Sequence, residues 1–143
     1  MTTLVLDASV AVKWAVPSAQ EPLTEQALNL FQRHLSSEIE FIVPDFFWAE
    51  VGNVLWKGIR QQRWQRDKAE AVAADLCVQD FQTVPSKILM PVALNIALAY
   101  NRNIYDCLYV ALASESQADL ITADERLANS MAAHFPVKWL GGY

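Results

Sequence analysis

Glycine is scarce in this chain, with 4 residues in 143. None belongs to a Gly-rich loop that could cradle a phosphate, so a nucleotide-binding fingerprint is absent. There are 6 prolines, and with so few chain breakers helices and short connections are expected to dominate. The 2 cysteines, Cys77 and Cys107, are not spaced as a metal-binding pair. A chain this apolar has little need of a disulfide, so both are read as reduced core thiols of a cytoplasmic protein. His34 and His134 share no motif with a serine and an acid, which argues against a hydrolytic triad. No cluster of Lys or Arg precedes the first apolar run and Asp7 interrupts it, so no secretory signal is read there. The longest apolar stretch, residues 89–100, contains Pro91 and Asn95 and is too short to span a bilayer. Repeats, low-complexity tracts and linkers are not seen.

Charge is also sparse, at 19%, against 53% hydrophobic residues. That balance points to a compact globule, a single domain over residues 1–143. The net charge of −5 argues against a nucleic-acid binder that works by bulk charge alone. The cations are unevenly placed, however: Lys57, Arg60, Arg63, Arg66 and Lys68 are five of the 11. This stretch reads either as a solvated helix face or as a surface that steers a polyanion toward an acidic site.

The chain opens on a short apolar strand, residues 3–6, that runs straight into Asp7. A short helix over 8–16 is expected, stopped by Pro17. The next helix, capped by Ser18 or Thr24, runs to about 35 with Ala27, Leu28, Leu30, Phe31 and Leu35 on its apolar face. Residues 40–43 form a second strand. Pro44-Asp45 is expected to open a long helix to about 62, since proline suits a first helical turn. A helix over 66–78 and a strand over 81–84 follow. Ser86 is expected to cap a helix through 100, bent at Pro91. A very apolar helix over 104–116, a strand over 119–122, a helix from 125 to about 134 and a strand over 137–140 complete the chain. Strands alternating with helices predict an α/β fold, a central parallel sheet of four to five short strands with helices on both faces.

Four acids stand in unusual places. Asp7 and Asp124 each follow a strand, so both should lie along one edge of the sheet, where ligands bind in open α/β folds. Each could equally be a helix N-cap. Asp106 falls in a first helical turn behind Asn103, where the helix dipole favours it, yet Tyr109, Val110 and Ala113 continue its face inward. Glu50 shares the stripe of Phe47, Val51, Val54, Leu55 and Gly58 and reads as mid-helix, where an unpaired carboxylate is costly. A buried pair with an arginine would explain it alone. Together, four carboxylates repel: unit charges about 4 Å apart cost roughly 4 kcal/mol at an effective dielectric of about 20. Either some are protonated or a divalent cation neutralises them, and oxygen ligands without His or Cys suit Mg²⁺ or Mn²⁺.

Four segments carry a resemblance: Leu-Val-Leu-Asp7-Ala-Ser9, Pro44-Asp-Phe-Phe-Trp-Ala-Glu50-Val-Gly-Asn-Val, Tyr105-Asp106-Cys-Leu-Tyr-Val-Ala-Leu-Ala113 and Leu120-Ile-Thr-Ala-Asp124-Glu-Arg-Leu127. In order and spacing, over essentially the whole chain, they resemble the PIN-domain ribonucleases, and within them the VapC toxins of toxin–antitoxin pairs. The resemblance implies a PIN-like three-layer α/β/α fold and a metal-dependent endoribonuclease with Asp7, Glu50, Asp106 and Asp124 as its acidic site. It also implies a small homodimer held inactive by an antitoxin. Many such proteins carry a further acid two positions past the last Asp. Arg126 stands there in this chain, which favours one ion over two.

On that reading Asp7 and Asp106 are direct ligands of Mg²⁺ (or Mn²⁺), and Asp124 binds directly or through water. Glu50 orients the attacking water or binds a second ion. Ser9 and Thr122 could hold these carboxylates or a substrate phosphate, although local capping explains each alone. Asp119 begins its strand and is placed at the opposite end. Lys57, Arg60 and Arg63 would meet the RNA backbone. Phe46, Phe47, Trp48, Trp56 and Trp64 exceed what one helix face can hide, so some would form a groove for an antitoxin helix or a dimer contact. The competing reading is a non-catalytic acidic pocket that captures an Arg or Lys of a partner.

Overall fold

In a computed structural model, which describes residues 1–15 and 21–143, five strands form one parallel sheet in the order β3-β2-β1-β4-β5. They are β1 (Thr2–Leu6), β2 (Ile39–Pro44), β3 (Gln82–Val84), β4 (Asp119–Thr122) and β5 (Val137–Trp139). Seven helices cover both faces: α1 (Ala8–Ala11), α2 (Thr24–Leu35), α3 (Phe47–Arg60), α4 (Arg66–Cys77), α5 (Ser86–Tyr100), α6 (Ile104–Ser116) and α7 (Glu125–Met131). The expected α/β architecture is present.

β1 is central because it is apolar on both sides: Leu4, Val5 and Leu6 are all buried, as a parallel strand covered on two faces must be. The chain builds outward from it to β2 and β3 on one side and to β4 and β5 on the other. The β1/β4 boundary is therefore the topological switch point, where open α/β sheets bind ligands. α6 packs along β1, β2 and β4. Its run from Cys107 to Ala113 is buried at every position, which is what a helix apolar all round requires. Among the described residues no helix is long and apolar enough to cross a membrane.

Several boundaries differ from expectation. Pro44 does not open α3; it is the last residue of β2, paired with Val84, and the Asp45 N–H continues the ladder to the Val84 carbonyl at 2.8 Å. α3 therefore starts at Phe47, and Glu50 lies in its first turn, not mid-helix. Neither Thr24 nor Ser86 caps its helix: each is the first helical residue. Thr24 Oγ1 donates to the Glu21 carbonyl, and Ser86 Oγ donates to Asp45. Leu23, at φ 65°, precedes α2 with no side-chain cap. Ser18, Pro17 and Val16 lie outside the described residues. The first helix is shorter than expected, with residues 12–15 winding as a 3-10 turn, and α7 ends at Met131, short of His134. α5 runs on through Pro91. Cys77 is exposed, not core, since Leu76 takes the inward position beside it; Cys107 is buried, and both are free thiols.

Candidate active site

The sheet edge first fixes Asp7. It follows the last residue of β1, and its N–H donates to the Ile121 carbonyl of β4 at 3.1 Å. This bond carries the sheet pairing one residue past the strand and sets the carboxylate over the β1/β4 boundary. Asp7 is buried and caps α1. Two hydroxyls donate to its Oδ2: Thr122 Oγ1 at 2.6 Å and Ser9 Oγ at 3.0 Å. Among the described residues its Oδ1 accepts only the Ser9 N–H, at 3.5 Å. Both hydroxyls also receive bonds from the chain entering α7. The Ala123 N–H donates to Ser9 Oγ and the Asp124 N–H to Thr122 Oγ1, each at 3.0 Å. Ser9 and Thr122 thus knit the ends of β1 and β4 into one lattice around a single carboxylate.

Burial pushes the Asp7 carboxyl above its usual range. The Thr122 and Ser9 bonds pull it back, and the neighbouring Asp106 charge adds to the rise. Glu50 is half-buried and pushed up to about 7, first by burial and then by the charges of Asp7 and, more weakly, Asp106. Asp7, Glu50 and Asp106 therefore share one electrostatic neighbourhood although they come from β1, α3 and α6. Asp106 behaves as a first-turn residue should: Asn103 caps α6 by accepting its N–H at 2.9 Å, and Asn103 Nδ2 donates back to Asp106 Oδ2 at 3.0 Å. Arg102 donates to that same oxygen at 3.3 Å.

Asp124 is at the right edge, but its carboxylate serves α7. Its Oδ1 accepts the Arg126 and Leu127 N–H groups at 3.0 and 3.2 Å, and the residue is exposed. It is linked to Asp7 through Thr122 rather than by its own charge. Asp119 begins β4, opposite Leu4, away from this edge as expected.

Tyr109 is a participant that the sequence pattern marked only as apolar. Its buried hydroxyl accepts the Ala8 N–H at 3.3 Å and donates to Glu50 Oε1 at 3.4 Å. Burial and the carboxylates around it push its pKa far up, so it remains a donor. It stands three residues after Asp106, one turn inward on α6, and that spacing was the only signal for it. Arg102 was missed as well, because it lies outside the helix whose first turn it neutralises.

Among the described residues no three acidic, histidine or cysteine side chains are arranged to hold an ion between them. The donor set nonetheless fits a hard cation. Each of the four acids has one oxygen anchored to the protein, Oδ2 of Asp7 and Asp106, Oδ1 of Asp124 and Oε1 of Glu50. The second oxygen accepts at most one long bond among the described residues. All donors are oxygen, as a hard dication requires.

The remaining candidates lie farther along α3. Lys57 and Arg60 are exposed, and Arg60 lies over the Trp56 ring at 4.9 Å. Arg63 is partly committed, 3.8 Å from Glu21. Of the aromatics in and beside α3, Phe47 is core, Phe46, Trp48 and Trp64 pack against the core, and Trp56 is exposed.

A family model described as the PIN domain matches residues 4–130. The chain belongs to the PIN-domain family. A curated relative, Ribonuclease VapC3 of Pyrobaculum aerophilum, is 32% identical over 133 residues, 91% of this chain and 95% of its own length. Solved PIN-like folds include PAE2754 of Pyrobaculum aerophilum, with TM-score 0.68, 19% identity and coverage of 99% of this chain and 85% of that one. VapBC2 of Rickettsia felis bound to a promoter DNA fragment gives 0.63, 11%, 96% and 98%. Mycobacterium tuberculosis VapC20, a sarcin-ricin loop cleaving toxin, gives 0.65, 15%, 92% and 95%. PIN-domain ribonucleases generally depend on a divalent metal.

Proposed function

We propose that this PIN domain is a Mg²⁺- or Mn²⁺-dependent endoribonuclease of the cytoplasm, the toxin of a toxin–antitoxin pair. The observation that carries it is the shared electrostatic neighbourhood of Asp7, Glu50 and Asp106 beside the switch point, with Asp124 tied to Asp7 through Thr122. Support comes also from the relative named a ribonuclease and from the toxin–antitoxin neighbours in fold.

Asp7 and Asp106 would hold the ion directly, and Asp124 directly or through water. A bound dication supplies charge neutralisation and Lewis acidity at the scissile phosphate. Glu50, half-buried beside Asp7, would orient the attacking water or bind a second ion. Tyr109 fixes the Glu50 carboxylate by its hydroxyl bond. Ser9 and Thr122 hold Asp7 so that only its Oδ1 faces a new partner.

The proposed partners are the RNA substrate and an antitoxin protein, with no membrane. A homodimer is supported by α5, where Met90, Leu94 and Leu98 recur at four-residue spacing and are 48%, 46% and 76% exposed. The competing reading, capture of a partner's Arg or Lys, has one observation in its favour: the site already holds a guanidinium, that of Arg102 on Asp106. Cleavage of RNA by purified Asp7→Asn and Asp106→Asn decides between them. Both should be inactive while folded; undiminished cleavage by both refutes the assignment.

A further inference from the structure

The α3 helix carries a second feature on the side away from the sheet. Its inward stripe is Phe47, Val51, Leu55 and Gly58. Successive residues turn by about 100° and rise 1.5 Å, so Asn53, Lys57 and Arg60 follow Glu50 along the outer side. Lys57, seven residues on, returns almost to the direction of Glu50, roughly 10 Å farther along the axis. Trp56 flanks this row and is 51% exposed even with the Arg60 guanidinium 4.9 Å from its ring. Trp56, Lys57, Arg60 and Gln61 line a surface hollow of about 350 Å³.

A half-exposed tryptophan is expensive to leave in water, and Arg60 covers only one of its faces. Lys57 and Arg60 have no carboxylate partner among the described residues, a state they share with Lys68, Lys87, Arg126 and Lys138. What sets them apart is position: two unpaired cations on one outer helix face beside a half-exposed indole, in a chain of net charge −5. Cations that track a backbone beside an aromatic face that stacks a base are the elements by which single strands are held without sequence readout.

We propose that the outer face of α3 beyond Glu50 is a single-stranded RNA platform: Trp56 stacks a base, and Lys57 and Arg60 hold the adjoining phosphates. This deepens the nuclease reading and rests on it for the choice of RNA as occupant. The row begins at the acidic site, so a strand lying on it would be delivered to Glu50 and Asp7 end-on.

The test is fluorescence anisotropy of a labelled unstructured RNA oligonucleotide on the full chain in EDTA, where metal-dependent cleavage cannot intervene. Trp56→Ala should weaken binding roughly tenfold, as expected for a lost stacking contact, and Arg60→Ala should weaken it most at low salt, as expected for a lost phosphate contact. Trp56→Phe should retain most of it. Lys57→Ala should reduce the slope of log affinity against log salt by about one. Melting temperatures within a degree or two of the wild type would show that the fold is intact. Unchanged affinity in Trp56→Ala and Arg60→Ala overturns the platform, and so does a wild type that binds no RNA in EDTA. In either case cleavage that is lost in Asp7→Asn would leave the nuclease reading standing. Conversely, binding that responds to these variants in a protein that cleaves nothing supports the platform and sinks the nuclease. Binding of a poly-glutamate peptide in place of RNA, lost in the same variants, would mean an acidic protein segment occupies the face, and the proposal fails.

Discussion

Asp7 and Asp106, the two shoulders of the proposed site, are held in different ways. Asp7 is buried at a strand end, where two hydroxyls and a backbone ladder fix it, with no cation bonded to it among the described residues. Asp106 is partly exposed on a helix's first turn, 27% accessible, and is balanced by Arg102 and the Asn103 cap. Asp7 is costly to ionise but cannot move. Asp106 rests on a side-chain pair that water can replace. If both are ligands, as proposed, the rigid one sits where the sheet determines position and the adjustable one where solvent makes rearrangement cheap.

Removing the rigid shoulder should have the largest effect. Asp7→Asn is expected to lower RNA cleavage at least ~10³-fold, about 4 kcal/mol of barrier. The metal-free protein should be no less stable, because a neutral amide escapes the burial penalty. Thermal melting beside a cleavage assay checks both halves; a marked loss of stability would show that Asp7 is structural first.

Next comes the lattice that holds Asp7. Thr122→Val keeps shape but removes the 2.6 Å bond to Asp7 and the acceptor for the Asp124 N–H. Destabilisation of roughly 1–3 kcal/mol is expected from the buried groups left behind, with cleavage reduced more than by any change at Arg102. Urea denaturation measures the first and initial rates the second.

The pH dependence of stability separates the shoulders without mutation. Folded Asp7 and Glu50 have raised pKa values, so the native state binds more protons than the unfolded chain. Stability of the metal-free protein should therefore be greatest in acid and fall as pH rises from the usual carboxylate range through about 7. Glu50→Gln should flatten the upper part of that fall, and added Mn²⁺ should offset it. A melting temperature that rises across this window would contradict the placement of both groups.

The smallest effect is expected at the adjustable shoulder. Arg102→Gln removes an exposed pair, so stability should change by less than ~1 kcal/mol. Freed Asp106 should bind Mn²⁺ a few-fold more tightly. Weaker Mn²⁺ binding would make Arg102 a supporting element rather than a competitor.

Much of this was legible in the chain because it depends on local order. Asp7 and Asp124 could be placed at one sheet edge from apolar runs ending in an acid, and Asn103–Asp106 could be read as a cap from spacing alone. Glu50 was misplaced within its helix because Pro44 suits a first turn and a strand end equally well, and only pairing with Val84 decides between them. The use of Tyr109 and Arg102 was hidden for a similar reason. A tyrosine in an apolar stripe looks like core until the Ala8 N–H and Glu50 arrive from elsewhere in the fold. Cys77 reads as core from the apolar composition alone, but in the last turn of α4 Leu76 faces in and Cys77 is exposed.

Isothermal titration of Mn²⁺ into the metal-free wild type and into Asp7→Asn addresses the metal site most directly. The wild type should show a saturable site, with heat that vanishes in the variant although both melt cooperatively. Equal binding by the two proteins, or none by the wild type up to millimolar Mn²⁺, would contradict a cation held at the β1/β4 edge.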